Sequence, residues 1–177
     1  FCEDRVLRAE TDRDLLFNAD GNPQVVASDA VIGDVVAYQG NFGISTNPES
    51  LAVTPYNAYF TDVNRGHVLN LTTEGITSIS DLGMTDYFGD TFGVDLSKCI
   101  GLYDENKKEY NLTIHKYFFN FSSLVRPTSS TTLAFSENAK GWVSFKSFIP
   151  QHGVSLNNKF YTFYNGHLWK HHVTVAE

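Results

Sequence analysis

The sequence predicts an all-β fold built from repeated antiparallel hairpins, with one short helix near residues 85–92. Aromatic residues make up 14% of the chain, as 14 Phe, 9 Tyr and 2 Trp. Asn, Ser and Thr together account for 43 of the 177 residues. Aromatic and hydroxyl-bearing side chains favour strands, and Asn and Gly favour the tight turns between them. A strand–turn–strand pattern that recurs four times along the chain is the third observation.

The N-terminal stretch contains two segments with apolar residues, 6–10 and 15–18, on either side of a charged segment at 11–14. This order predicts a hairpin, and a helix across 4–17 is the alternative because nothing in the segment breaks a helix. Asp20-Gly21-Asn22-Pro23 then predicts a turn. Short strands and loops are expected over 24–45, where Val-rich pairs alternate with glycines.

Each of the four repeated units has a strand with an aromatic residue at or near its end, a polar turn and a second strand. The units pair 58–61 with 67–71, 100–103 with 109–114, 132–135 with 142–145, and 160–163 with 167–170. Alternation of apolar and polar residues places one face of such strands on a core. Asn165-Gly166 has the residue types that two-residue hairpin turns require.

The spacing of the turns suggests an architecture. The turn centres lie near residues 63, 106, 138 and 165, and the first spacing is close to the 40–50 residues of a propeller blade. One hairpin is half a blade, so further strands are expected in the linking segments. A ring of six such blades needs about 240 residues. The chain is therefore predicted to be β-propeller-like, as a small or partial propeller, with a stack of twisted sheets as the alternative.

Two segments depart from the hairpin pattern. Residues 85–92 predict a short helix with an acidic first turn. Residues 117–121 are almost continuously aromatic, which suits a strand buried on both faces or one buried against a partner chain.

The formal net charge of −7 argues against general electrostatic binding to nucleic acid or to an anionic membrane. No apolar run approaches the roughly 18 residues that cross a bilayer. Cys2 and Cys99 are too few for a disulfide framework, and we expect two free thiols. No cofactor is predicted.

The sequence offers little for catalysis or metal binding. His167, His171 and His172 lie close together, but on the predicted strand His171 and His172 point to opposite faces, so no metal site is predicted. Residues 136–142 resemble the Asp-box turn of sialidase-type propellers, which is a structural turn. Neither a nucleophile elbow nor a phosphate loop occurs, and no catalytic residue is predicted.

An ordered set of motifs resembles a family of virion structural proteins of tailed bacteriophages, found in marine cyanophage-type and crAss-like phages. The motifs cover most of 15–172 and keep their order. They are Leu-Phe-Asn-Ala-Asp-Gly-Asn at 16–22, Gly-Ile-Ser-x-Asn-Pro-Glu-Ser at 43–50, Tyr-Phe-Thr-Asp-x-x-Arg-Gly-x-Val-Leu at 59–69, Gly-Ile-Thr-x-Ile-Ser-x-x-Gly-Met at 75–84, Tyr-Asp at 103–104, Gly-Trp-x-Ser-Phe-x-Ser-Phe-Ile-Pro at 141–150 and Gly-x-Leu-Trp-x-His-His at 166–172.

The resemblance implies a non-enzymatic tail, tail-nozzle or baseplate component that folds like a β-propeller. Residues 1–177 would be one all-β region of a longer virion polypeptide, assembled in the host cytoplasm and placed in the virion. The resemblance and the hairpin pattern together single out turn residues and core or stacking aromatics. The turn residues are Asp62, Gly66, Asp104, Gly141, Asn165 and Gly166. The aromatics are Tyr59, Tyr103, Phe135, Trp142 and Trp169.

The expected partners are copies of the chain itself and other phage tail proteins, with no specific nucleic-acid binding and no membrane. The alternative function is a carbohydrate-binding module for host attachment, in which an exposed Trp142 or Trp169 stacks on a sugar. A tail-associated glycan hydrolase is a third possibility, and it would need a carboxylate pair in a cleft.

Overall fold

A computed structural model describes the backbone of residues 1–9, 14–17, 20–21, 23–26, 32–92, 96–120 and 123–173. Side chains are described in the same ranges except at 14–17, 23–26, 96–97, 117–120 and 123–128. The chain is mostly β-strand, and all of its described strand pairs are antiparallel.

The N-terminal region forms two small ladders. Strand β1 (Leu7–Ala9) pairs with β4 (Val35–Ala37), and β2 (Asp14–Phe17) pairs with β3 (Pro23–Val26). The predicted turn at 20–23 thus connects paired strands, but the hairpin predicted between 6–10 and 15–18 is wrong, as is the helix alternative. Asp20 and Gly21 lie after β2, and Gly21 has a φ of +79°. These turn-forming residues favour pairing of β2 with β3, the strand that follows them.

Three larger sheets follow in chain order, each an up-and-down arrangement. Sheet I contains β5 (Ala52–Val53), β6 (Ala58–Asp62), β7 (His67–Thr72) and β8 (Gly75–Ser78). Sheet II contains β9 (Leu96–Asp104), β10 (Glu109–Asn120), β11 (Ser123–Ser136) and β12 (Gly141–Lys146). Sheet III contains β13 (His152–Leu156), β14 (Lys159–Tyr164) and β15 (His167–Lys170).

The four predicted hairpins are confirmed as β6–β7, β9–β10, β11–β12 and β14–β15. The additional strands expected in the linking segments are β8 and β13, and β5 precedes the first hairpin. The predicted helix is also confirmed, as α1 (Thr85–Phe92) between sheets I and II. A short 3-10 helix, η1 (Pro48–Ser50), precedes sheet I. The described residues form open sheets, not a closed propeller.

Sheet II is the central layer of this stack. Alternation along β9 sends Cys99 and Tyr103 to the face that meets sheet I and α1, whereas Ile100 and Leu102 face sheet III. The larger core cluster fills the first interface, where the fully buried side chains include Tyr59, Val68, Phe88, Tyr110, Leu112, Ile114 and Leu133. Phe160 of sheet III packs on Ile100 and Leu102 across the second interface.

The first strands of the three sheets lie close together, because β9 contacts β5 on one side and β13 on the other. Glycines permit the close approach. A Cβ on Gly101 would lie 1.9 Å from the Ser50 carbonyl oxygen, and a Cβ on Gly153 would lie 2.8 Å from Leu102 Cδ1. A Cβ on Gly101 would require the backbone to shift, and a Cβ on Gly153 would require the Leu102 side chain to move.

The other face of sheet I is covered by the N-terminal segment. Val6 and Ile44 pack on Phe60 and Leu69, and the rings of Phe1 and Phe60 meet edge to face at 5.0 Å. The aromatic run at 117–121 continues β10 as far as Asn120, but its side chains and Phe121 lie outside the described residues, so both predicted environments stay open.

Candidate functional site

A carboxylate, Glu137, links sheets I and II through three donors. Its Oε1 accepts hydrogen bonds from Tyr59 Oη at 2.7 Å and Asn57 Nδ2 at 2.9 Å, and its Oε2 accepts one from Tyr103 Oη at 2.8 Å. The backbone N–H of Glu137 donates to the Lys108 carbonyl at 3.1 Å. We call Glu137, Asn57, Tyr59 and Tyr103 the Glu137 cluster. It ties the β11–β12 turn to β6 and to β9.

Burial and the nearby carboxylate both act on the tyrosines of this cluster. Burial, followed by the hydrogen bond to Glu137, raises the pKa of Tyr59 and of Tyr103 above the ordinary tyrosine value. Tyr59 stacks on Tyr110 with ring centres 4.9 Å apart, and burial also raises the pKa of Tyr110. Both phenols of the cluster therefore remain neutral donors at physiological pH.

Asp62 organises the β6–β7 turn from a fully buried position. Its Oδ1 accepts from the Arg65 backbone N–H at 3.2 Å, and its Oδ2 accepts from Arg65 Nη1 at 3.0 Å and from the Gly43 N–H at 3.1 Å. Gly66, at a φ of +77°, occupies the left-handed position of the turn. Both residues were predicted from the sequence as turn formers.

Asp104 has two contacts that stabilise different parts of the chain. Its Oδ1 accepts from the backbone N–H groups of Asn106 and Lys107 at 3.0 and 3.3 Å, which shapes the β9–β10 turn. Its Oδ2 lies 2.6 Å from Nε2 of His172, just beyond β15. The contact with His172 attaches the end of sheet III to sheet II.

Of the other predicted turn residues, Asn165 and Gly166 lie in a turn, whereas Gly141 lies in a strand. Asn165 and Gly166 both have positive φ, at +51° and +77°, as a type I′ turn requires. At the β11–β12 turn it is Lys140, with a φ of +49°, that takes the left-handed conformation. Gly141, predicted as the turn residue, is instead the first residue of β12 and pairs with Ser136.

Four of the five predicted aromatics gather in one place. Tyr59 and Phe135 are buried in the cluster between sheets I and II, and Tyr103 and Trp142 pack against it. The Trp142 Nε1–H donates to the Ile79 carbonyl at 2.9 Å. Trp169 lies apart, on sheet III, and is 57% exposed.

Trp169 lines a cavity of about 390 Å³ on the inner side of sheet III. Tyr164 and His171 also line it, and the opposite wall is the segment 147–150 that leads into β13. His171 packs on Phe148 with ring centres 4.5 Å apart and contacts Thr162 Oγ1 through Nε2 at 2.7 Å. Burial, reinforced by neighbouring His172, lowers the pKa of His171.

The outer face of sheet III is apolar and exposed. The register pairs Val154 with Tyr161, and Phe163 with both His152 and Leu168, so these side chains share one face. Leu156 is 66% exposed and Leu168 is 59% exposed. We call Val154, Leu156, Tyr161, Phe163 and Leu168 the outer face. Contiguous exposed apolar surface of this kind marks interaction sites.

Metal ligands are not grouped in the described part of the chain, where no cluster of three or more His, Cys, Asp or Glu could hold an ion. Strand β15 ends at Lys170, so His171 and His172 follow the strand, and the prediction that they continue it is wrong. His172 has a φ of +56°, which turns the backbone away from the sheet. Cys2 is exposed and Cys99 is buried, and both are free thiols.

Comparison with protein-family models gives a match over residues 11–166 to the crassvirus muzzle protein. The chain belongs to the crassvirus muzzle protein family. The match spans sheets I and II and most of sheet III. No curated protein matches the sequence.

Membership of the muzzle family identifies the chain as a virion structural protein of crAss-like phages. The crAss-like part of the predicted resemblance is therefore confirmed. None of the helices in the described residues is long and apolar enough to span a bilayer.

Glu137 and His172 each connect two sheets of this muzzle-family chain, and neither role was predicted from the sequence. Glu137 stands in the segment that resembles an Asp-box turn, but nothing local indicates that Tyr59 and Tyr103 approach it from other strands. Glu137 is the last acidic residue before Glu177. The long stretch without Asp or Glu that follows it was the feature of the sequence that could have drawn attention to Glu137.

Proposed function

We propose that this muzzle-family chain is a non-enzymatic component of the phage tail, of the nozzle or baseplate type, that holds subunits in a ring or tube and docks neighbouring tail proteins. The observation that carries this proposal is the exposed outer face of sheet III. A protein that works by assembly needs such a surface, because stable subunit interfaces bury apolar area in their centre.

We infer that sheets I, II and III are successive blades of a partial β-propeller, and that residues 1–177 are one all-β region of a longer virion polypeptide. Two features support the propeller. Each sheet is an antiparallel up-and-down unit, and the first strands β5, β9 and β13 lie side by side as innermost strands of adjacent blades do. Sheets I and II have four strands each, as propeller blades do, whereas sheet III has three.

A non-enzymatic role agrees with how the best-placed carboxylates are used. Glu137 accepts from three side chains, and Asp62 and Asp104 accept from backbone groups of their own turns. A hydrolase would instead need a carboxylate pair facing a cleft. Incubation of the purified protein with host polysaccharide should therefore release no sugar.

Proteomics of purified phage particles tests the structural proposal. We expect peptides from this chain in intact virions, in a gel band well above 19.8 kDa. Particles stripped of tails should lose the band together with other tail proteins. Absence of the peptides from purified virions would contradict the proposal.

Carbohydrate binding is a second candidate, favoured by the exposure of Trp169 beside a cavity. Exposed aromatic rings stack on sugar faces, and Tyr164, Thr162 and His171 add polar groups to the same cavity. Trp142, by contrast, packs against the core. Glycan-array binding that is lost in Trp169→Ala and kept in Leu168→Ala would support this function. No binding by the unmodified protein would remove it.

A further inference from the structure

Charge is divided sharply along the chain. Residues 138–173 contain four lysines, no arginine and no Asp or Glu. Residues 66–97 have the opposite pattern, with five carboxylates and no Lys or Arg. The overall charge of −7 conceals this separation. Surfaces of opposite sign favour association with one another and fix its orientation.

The basic segment includes the outer face and its rim. Lys159 and Lys170 lie on the same side of sheet III as the outer face, because Lys159 pairs with Leu156 and Lys170 pairs with Tyr161. Both lysines are exposed, and within the described residues neither forms an ion pair. His152, which pairs with Phe163, lies on the same side of the sheet.

The acidic segment includes the exposed side of α1. Asp86 and Asp90 are exposed and four residues apart, so they share one side of the helix, whereas Phe88 and Phe92 are buried. Asp81 and Leu82, just before the helix, are also exposed. This surface, which we call the acidic helix surface, combines carboxylates with an apolar side chain.

The two surfaces cannot neutralise each other within one molecule. Helix α1 packs on the face of sheet II that carries Cys99 and Leu112, whereas sheet III packs on the face that carries Ile100 and Leu102. Sheet II therefore separates them. A second copy of the chain can bring its acidic helix surface against the outer face of the first.

We propose that the outer face of sheet III docks on the acidic helix surface of a second copy of this chain, head to tail. Lys159 and Lys170 face Asp86 and Asp90 of the neighbouring copy, and the apolar strip of Val154, Phe163 and Leu168 lies at the centre. Two different patches meet, so a pair of copies keeps one free patch of each kind. Such contacts repeat and form a ring when the rotation closes. This inference rests on the proposed function, and it specifies the surface through which subunits are held.

Charge reversal and its rescue test the proposal on the purified protein. Lys159→Glu/Lys170→Glu should raise the dissociation constant for self-association at least about tenfold, because like charges then face each other. Asp86→Lys/Asp90→Lys should do the same. An equimolar mixture of the two variants should associate again, since each reversed patch meets a reversed partner. Analytical ultracentrifugation measures all three.

A matched control places the same charge change elsewhere. Lys107→Glu/Lys108→Glu alters two exposed lysines in the β9–β10 turn and should leave self-association unchanged. Circular dichroism spectra that match the unmodified protein show that each variant is folded.

Three results would overturn the proposal: an unmodified protein that stays monomeric at high concentration, unchanged association in Lys159→Glu/Lys170→Glu, or a variant mixture that stays dissociated. Binding of duplex DNA that is lost in Lys159→Glu/Lys170→Glu, without a change in sedimentation, would assign the lysines to nucleic acid instead. Any of these results, with the protein still found in virions, would reject this interface and leave the proposed function standing.

Discussion

Sheets II and III are built from the same kind of hairpin and end in different environments. Along β9, sheet II is covered by protein on both faces, with sheet I and α1 on one side and sheet III on the other, whereas Val143 and Phe145 in the edge strand β12 are exposed. Sheet III is covered on its inner face alone, where Phe160 is buried, while Leu168 and Leu156 face outwards. Both sheets carry apolar side chains on both faces, so sheet III is organised like a central layer that lacks its second neighbour. The proposed interface with a second copy would cover this face.

The largest expected effect is a difference in the loss of stability between a substitution in sheet II and one in sheet III. Leu112→Ala in β10 removes a fully buried side chain and should destabilise the protein by about 2–5 kcal/mol. Leu168→Ala on the outer face should change the stability of the isolated protein by less than about 0.5 kcal/mol. Urea unfolding monitored by fluorescence measures both. Equal losses would mean that the outer face is covered within the isolated protein.

The Glu137 cluster tests the connection between sheets I and II. Glu137→Ala leaves the hydroxyl groups of Tyr59 and Tyr103 without their acceptor and should cost about 1–3 kcal/mol. The exposed Glu105 offers a matched control, and Glu105→Ala should have little effect. A double-mutant cycle with Tyr103→Phe should give a non-additive result. Additive losses would contradict a direct bond.

The close packing of sheet III on sheet II is tested at Gly153. A Cβ in Gly153→Ala would meet the Tyr161 carbonyl oxygen at 2.7 Å and Leu102 Cδ1 at 2.8 Å, and should destabilise the protein by about 1–3 kcal/mol. Gly141→Ala is the control, because the nearest atom to its Cβ lies 3.8 Å away. A stable Gly153→Ala protein would contradict the close contacts of Gly153 with Tyr161 and Leu102.

Alkaline pH should have a smaller effect on the same core. Burial raises the pKa of Cys99 to about 12, and raises the pKa values of Tyr59, Tyr103 and Tyr110. A raised pKa favours the neutral group in the folded state. Stability from the tyrosines is therefore fully present below pH 10 and is lost as the pH rises through their folded-state values, and for Cys99 the loss begins above pH 9.

Urea unfolding midpoints between pH 7 and 11 measure this dependence. We expect a plateau up to about pH 9 and a decline above it. Tyr103→Phe should flatten part of the decline, because one titrating phenol is removed. Stability that rises with pH above 10 would contradict the assigned burial.

Local sequence patterns predicted the hairpins well where the turn and both strands are adjacent in the chain. Asn165-Gly166 and the residues around Asp62 specify their turns by backbone geometry, and α1 was found at its observed bounds. The prediction of a hairpin at the N-terminus was wrong because β1 pairs with β4, about thirty residues away. Pairing at that distance depends on packing that no short segment encodes.

The candidate site was predictable only in part for the same reason. Tyr59, Tyr103 and Phe135 were identified as aromatics near strand ends, but the meeting of Tyr59 and Tyr103 at Glu137 depends on how sheets I and II stack. Lys140 took the left-handed position expected of Gly141, because a non-glycine residue can adopt that conformation at a modest energetic cost. The acidic segment 66–97 and the basic segment 138–173 could be identified from the sequence. Their positions on opposite sides of sheet II could not, because those positions depend on the order in which the sheets pack.

A reconstruction of the intact virion by cryo-electron microscopy, at side-chain resolution, tests the central claim most directly. We expect Val154, Phe163 and Leu168 to be covered by a neighbouring chain in the tail. An outer face that is exposed to solvent in the assembled particle would contradict the account.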